Sequence, residues 1–281
     1  MTRRIGLVAT GSRGDPAVVK AVLTLGAELY PELELVAHPS CGAQSGHFAG
    51  DDDARAKAFL DIANDPDFDA LWFLRGGYGA NRLIERVMAL LTPAARAKAY
   101  LGYSDAGFLL GALYRHGFKR LYHGPMPQDL RRAGGEAAVT RSLAWLARED
   151  PASLEPSVDA AGSPTAAFNL TTLSHLMGTP WLPDLGDHVL MLEEVSEPVY
   201  RIDRALFHIT SNPMIRRVRG IRFGRCAEVI ANEPDFGLEP QAVAQDWCAR
   251  AGIAYLGPAD IGHDIDNKIV PFGPLEPATA P

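Results

Sequence analysis

Two stretches carry the same pattern: Ala70-Leu71-Trp72-Phe73-Leu74-Arg75-Gly76-Gly77-Tyr78-Gly79 and Ala99-Tyr100-Leu101-Gly102-Tyr103-Ser104-Asp105-Ala106-Gly107. In each, an apolar run too short for a helix ends at glycine and small polar residues, and a helical pattern follows, from Asn81 to about Leu91 and from Phe108 to Arg115. Short apolar runs bounded by turn residues read as buried strands. Working outward, Ile5–Ala9 is another such strand, followed by Asp15-Pro16 as N-cap and first helical residue of a helix over 17–30. Leu33–Ala37 reads as a strand and Ala54–Ile62 as a helix. This alternation predicts an α/β fold, a parallel sheet covered by helices on both faces. In such sheets ligands sit beyond the carboxyl ends of the strands, where the Arg75–Gly79 turn and Ser104 both fall, so the two are expected to share one cleft.

From Pro151 to Ala167 the composition shifts to Pro, Ser, Ala and Gly with little periodicity. That predicts a linker over 151–167 between an N-terminal domain, 1–150, and a smaller mixed α/β domain, 168–281. The second domain is expected to hold helices at 170–177, 200–210 and 241–251, and strands at 189–193, 227–231 and 254–256. The 281 residues are 47% hydrophobic with a net charge of −7 and no basic run, which argues against nucleic acid or a membrane surface as partner and favours a small or neutral one. The N-terminus lacks a signal-peptide core, and no stretch reaches membrane-spanning length. Three cysteines, Cys41, Cys226 and Cys248, are odd in number and lack metal-ligand spacing. They fit a reducing compartment, and a cytoplasmic protein without metal or cofactor is expected.

Three polar islands edge apolar runs: Gly102-Tyr103-Ser104-Asp105, Leu192-Glu193-Glu194 and Ile261-Gly262-His263-Asp264. A serine hydroxyl needs an imidazole to take its proton, and a carboxylate to fix the imidazole's tautomer, before it can attack an amide. Hydroxyl, carboxylate and imidazole are all present, which points to a hydrolase. Ser104 would stand on a strand-to-helix turn, where the Asp105 amide can donate to an oxyanion; a plain N-cap is the competing reading. Gly77, in a turn lacking the lysine of a phosphate loop, is a second oxyanion-donor candidate. Glu193 and Glu194 remain equivalent at this level, and a salt bridge to Arg201 or Arg204 is the alternative role for Glu193.

Taken in order, Arg75-Gly76-Gly77-Tyr78-Gly79-Ala80 with Arg82-Leu83, Gly102-Tyr103-Ser104-Asp105, His123-Gly124-Pro125-Met126, Asn169-Leu170 with Gly178-Thr179-Pro180-Trp181, Leu192-Glu193-Glu194 with Tyr200-Arg201-Ile202-Asp203-Arg204, and Gly262-His263 resemble the LD-carboxypeptidases. The resemblance spans nearly the whole chain. It implies a Rossmann-like N-terminal domain, a smaller C-terminal domain and a Ser-Glu-His triad, and places Ser104 as nucleophile, Glu193 as carboxylate and His263 as base. It also implies a cytoplasmic muropeptide as substrate, losing its terminal D-alanine during peptidoglycan recycling. The carboxylate of that leaving residue needs a cationic pocket, for which Arg75 is the candidate, with an arginine anchoring the glycine loop as the other reading. Family members are often homodimers. The family also contains the microcin C immunity peptidases, which cleave aminoacyl-nucleotide conjugates. That alternative rests here on Phe168, an aromatic side chain able to stack on a nucleobase. Ala167-Phe168 replace two glycines usual in the family, which leaves the choice of substrate open between the two branches; Ala106-Gly107 replace a threonine-containing helix start, a change that leaves the triad in place.

Overall fold

The computed structural model describes residues 2–158 and 162–275. The first half runs β1 (Arg3–Val8), α1 (Pro16–Leu29), β2 (Leu33–Ala37), α2 (Asp52–Ala63), β3 (Ala70–Phe73), α3 (Ile84–Met88), α4 (Pro93–Ala97), β4 (Ala99–Gly102), α5 (Gly107–Arg115), β5 (Leu121–His123) and α6 (Glu136–Arg148). The second half runs β6 (Thr165–Asn169), α7 (Leu170–Leu176), β7 (Val189–Val195), α8 (Val199–Ser211), β8 (Gly220–Ala227), α9 (Pro240–Ala251), β9 (Tyr255–Pro258) and β10 (Val270–Pro271).

The strands form two sheets, β10-β5-β4-β3-β1-β2 and β6-β7-β8-β9. Both are parallel except for β10, which pairs antiparallel with β5 through Val270 opposite His123. Side chains along a strand alternate between faces. Leu71 and Phe73 accordingly enter one apolar cluster with α2, α3 and α5, while Ala70 and Trp72 enter a second with α1 and α6. This is the sheet covered on both faces that the alternation predicts. The first cluster does not stop at the first sheet: it continues through Phe168, Leu192 and Phe223 of the second. Strand order reverses between β1 and β3, and the loops after those two strands meet closely: a Cβ on Gly11 would lie 3.1 Å from the Gly76 carbonyl oxygen.

Several boundaries differ from the sequence reading. The 81–91 helix is a 3-10 turn, Ala80–Leu83, followed by the short α3. The strand expected at 227–231 lies at 220–227. Its glycines misled the reading: a Cβ on Gly220 would lie 2.7 Å from the Ala254 carbonyl oxygen, and one on Gly224 2.6 Å from that of Ile261. Glycine there permits close backbone approach rather than a break. Elements α4, β5, α6, β6 and β10 were not anticipated. The segment 151–167 includes a 3-10 turn, Pro151–Ser153, and yields its last residues to β6; residues 159–161 lie outside the described residues. The division of the chain at 150/168 also cuts across the first sheet, because β10 belongs to it.

Candidate active site

Ser104 follows β4 with φ of 58°, left-handed backbone that costs a non-glycine residue about 1–3 kcal/mol. The turn drives the serine out of the strand, and room for it comes from Gly76, whose added Cβ would sit 2.9 Å from both Cβ and Oγ of Ser104. The glycine turn is tied down from two sides. The buried Asp105 carboxylate accepts from the Gly79 amide at 3.2 Å and the Ala80 amide at 2.9 Å. Burial raises the Asp105 pKa, opposed by these two amides. From beneath, the fully buried Arg55 donates to the carbonyls of Thr10 and Gly79 and pairs with Asp52 at 2.5 Å. Gly77 has φ of 100° and lies against Ser12, whose Oγ would be 2.4 Å from a Cβ placed there.

Glu193 and Glu194 separate by strand alternation. Glu193, fully buried, accepts from His263, with Nδ1 to Oε2 at 2.5 Å. Burial pulls the imidazole pKa down, but the charge and hydrogen bond of Glu193 outweigh it, and the His263 pKa stands above the ordinary value. Glu194 points the other way and is saturated, accepting from Asn169 Nδ2 (2.6 Å), Thr171 N (2.9 Å), Thr171 Oγ1 (2.6 Å) and Val195 N (2.9 Å). Arg201 pairs with Glu197, so the salt-bridge role considered for Glu193 is not realised with it.

Sequence reasoning passed over the residues on which the imidazole rests. The Tyr103 ring lies 4.7 Å from the His263 ring. Its hydroxyl donates to Asp129 at 2.8 Å and accepts from Arg132 at 3.0 Å, and Arg132 also pairs with Asp129. The Tyr103 ring also lies 5.6 Å from that of His123, which is fully buried, feels the charges of Glu193 and His263, and is pushed down to about 4 by desolvation, hence neutral. The His123-Gly124-Pro125 string was visible in the sequence, but only the fold shows what it approaches.

Ser104 stands where two cavities meet. One, of about 460 Å³, is lined by Arg75, Arg131, Arg132, Asp129 and His263; the other, of about 660 Å³, by Tyr78, Asn81, Thr171, His175, Trp181 and Glu194. Gly77, Ser104 and Val195 line both. The structure thus brings Ser104, His263, Gly77 and Arg75 to one cleft, with Glu193 behind His263. Arg75 is half-buried and donates to the Arg13 carbonyl at 3.0 Å, so the anchoring role proposed for it is present. Phe168 is not at the cleft surface: it is fully buried in β6 against Phe272, with ring centroids 5.1 Å apart, and cannot stack on a ligand.

Two family models match the chain: the LD-carboxypeptidase N-terminal domain over residues 5–124 and the LD-carboxypeptidase C-terminal domain over 164–275. Among curated proteins, a putative carboxypeptidase of Synechocystis sp. is 32% identical over 232 residues, covering 81% of this chain and 75% of the relative. The murein tetrapeptide carboxypeptidase of Pseudomonas aeruginosa is 27% identical over 284 residues, 96% and 91% of the two chains. Among solved structures, muramoyltetrapeptide carboxypeptidase from Oxalobacter formigenes superposes with a TM-score of 0.79 at 26% identity, over 95% and 93% of the chains. Microcin C7 self-immunity protein MccF reaches 0.78 at 18% identity over 97% and 92%, a likeness of fold.

Proposed function

Because this chain belongs to the LD-carboxypeptidase family, we propose that it is a serine carboxypeptidase that releases the terminal D-alanine of murein tetrapeptides, acting through Ser104, Glu193 and His263. The observation that carries the reading is the buried His263–Glu193 pair at 2.5 Å on the cleft that also holds Ser104 in strained left-handed backbone. With Nδ1 committed to Glu193, His263 offers Nε2 to the cleft. It takes the Ser104 proton as Oγ attacks the scissile carbonyl, and Glu193 stabilises the imidazolium that forms. The amides of Asp105 and Gly77 hold the oxyanion, each such donor being worth roughly 3 kcal/mol in the transition state. His263 then protonates the departing amine, and a water repeats the sequence in reverse to free Ser104.

Three unpaired cysteines, and no helix among the described residues long and apolar enough to cross a membrane, support action on muropeptides in the cytoplasm. The homodimer and the N- and C-terminal division of labour belong to the same reading. The nucleotide-conjugate alternative loses its supporting residue, since Phe168 is buried. The test is mass-spectrometric detection of D-alanine from a purified murein tetrapeptide, with a nucleotide-linked aspartyl amide alongside. Release by the wild type and not by Ser104→Ala is expected. Cleavage of the nucleotide conjugate alone would replace the reading.

A further inference from the structure

In the 460 Å³ arm, two guanidiniums have no carboxylate partner among the described residues. Arg75 donates to a backbone carbonyl, and the side chain of Arg131, exposed at the same rim, has no hydrogen bond or ion pair among the described residues. Their neighbour Arg132, by contrast, is bound to Asp129 and Tyr103. Arg75 and Arg131 are close enough to repel: burial lowers the Arg75 pKa, and the Arg131 charge lowers it further. Two carboxylates also line this arm, but Asp129 is paired with Arg132 and Glu228 accepts from Ser196 Oγ, and among the described residues neither forms an ion pair with Arg75 or Arg131. Two like charges beside a nucleophile are compensated when an anion arrives, and a carboxylate is the planar two-oxygen acceptor that guanidinium forks match.

The other arm differs in reach. Through Thr171, His175 and Glu197 it runs on into a third groove of about 470 Å³ along α8, so it has room for a long acyl portion.

We propose that Arg75 and Arg131 clamp the free α-carboxylate of the leaving residue, which fixes the direction of the peptide across Ser104 and makes the protein an exopeptidase. The acyl chain lies along the 660 Å³ arm, and only a single carboxylate-ended residue lies on the arginine side. This rests on the peptidase reading and deepens it. It assigns to Arg131 a role in specificity and to Arg75 a second role besides anchoring the glycine loop.

The experiment compares kcat/KM for a murein tetrapeptide and for the same peptide ending in D-alaninamide, in the wild type, Arg75→Gln and Arg131→Ala. Arg75→Gln gives up the bond to the Arg13 carbonyl, which the shorter side chain does not reach, so its fold is checked by circular dichroism, whereas Arg131→Ala removes an exposed side chain with no hydrogen-bond or ion-pair partner among the described residues and is expected to fold. A lost charge-assisted hydrogen bond predicts that the preference for acid over amide, the ratio of their kcat/KM values, falls roughly 10- to 100-fold in each variant, mainly through KM on the acid. Binding of both peptides to Ser104→Ala, by calorimetry, is expected to show the acid tighter by a similar factor. Wild-type cleavage of acid and amide at equal rates, or equal losses on both in the variants, would overturn the clamp while leaving the peptidase reading standing. Failure of the wild type to release anything from either peptide would instead overturn the peptidase reading.

Discussion

At the scale of single residues, the site is a set of small permissions and fixed protons. Gly76 exists so that Ser104 can turn: Gly76→Ala places a methyl 2.9 Å from the serine Oγ, and activity is expected to fall at least tenfold while circular dichroism stays native. In the proposed mechanism His263 must be neutral to act as base, and Glu193 holds its pKa up. Activity should therefore rise with pH through an acidic limb lying above the usual histidine range. Glu193→Gln removes the charge that raises that pKa, so the limb should move to lower pH while kcat falls by roughly 10³–10⁴, as expected when an imidazole loses its orienting carboxylate. A pH–rate profile of both proteins checks the sign; a limb that stays put would sever Glu193 from His263. The three polar islands were legible from sequence because each edges an apolar run where a polar group has no cheap place to hide, whereas the choice of Ser104, Glu193 and His263 within them came from the family resemblance. Tyr103, Asp129, Arg132 and Arg55 were not, because their roles depend on partners far along the chain that only the fold brings near.

Among the elements, legibility followed length and local chemistry. Helix α1 announced itself through its Asp15 cap and Pro16, and β3 and β4 through apolar runs ending in glycine. Strand β5 has three residues and β10 two, too few for a period to register. Strand β6 has alanine at two of its five positions, a composition that resembled linker, and β8 hid behind Gly220 and Gly224. One element-level joint is open to test. Asn169 ends β6 and caps α7, its Oδ1 accepting from Thr172 N at 3.0 Å while its Nδ2 donates to Glu194. Asn169→Ala removes the cap and leaves a buried carboxylate short of a donor, so a loss of about 2–3 kcal/mol in denaturant unfolding is expected. A loss under about 0.5 kcal/mol, the size of a mere surface substitution, would refute that double duty.

Across the whole molecule, the two sheets share one apolar cluster, and β10 returns from the second half to close the edge of the first sheet. Phe272, just after β10, touches Phe168 of the second sheet and Tyr114 of α5, with ring centroids at 5.1 and 5.7 Å. Phe272→Ala should therefore destabilise the entire chain by about 3–5 kcal/mol. Tryptophan fluorescence and far-ultraviolet circular dichroism should report one coincident transition in wild type and variant alike. Two separated transitions would show that the sheets unfold independently.

That returning strand also sets a schedule. A growing polypeptide leaves the ribosome N-terminus first, so the serine emerges long before the imidazole and before the strand that borders His123. A nascent or prematurely terminated product holds a hydroxyl with nothing to take its proton, in a sheet missing its edge. On the proposed triad, hydrolytic competence therefore arrives in a single late step, and a product truncated before His263 is inert.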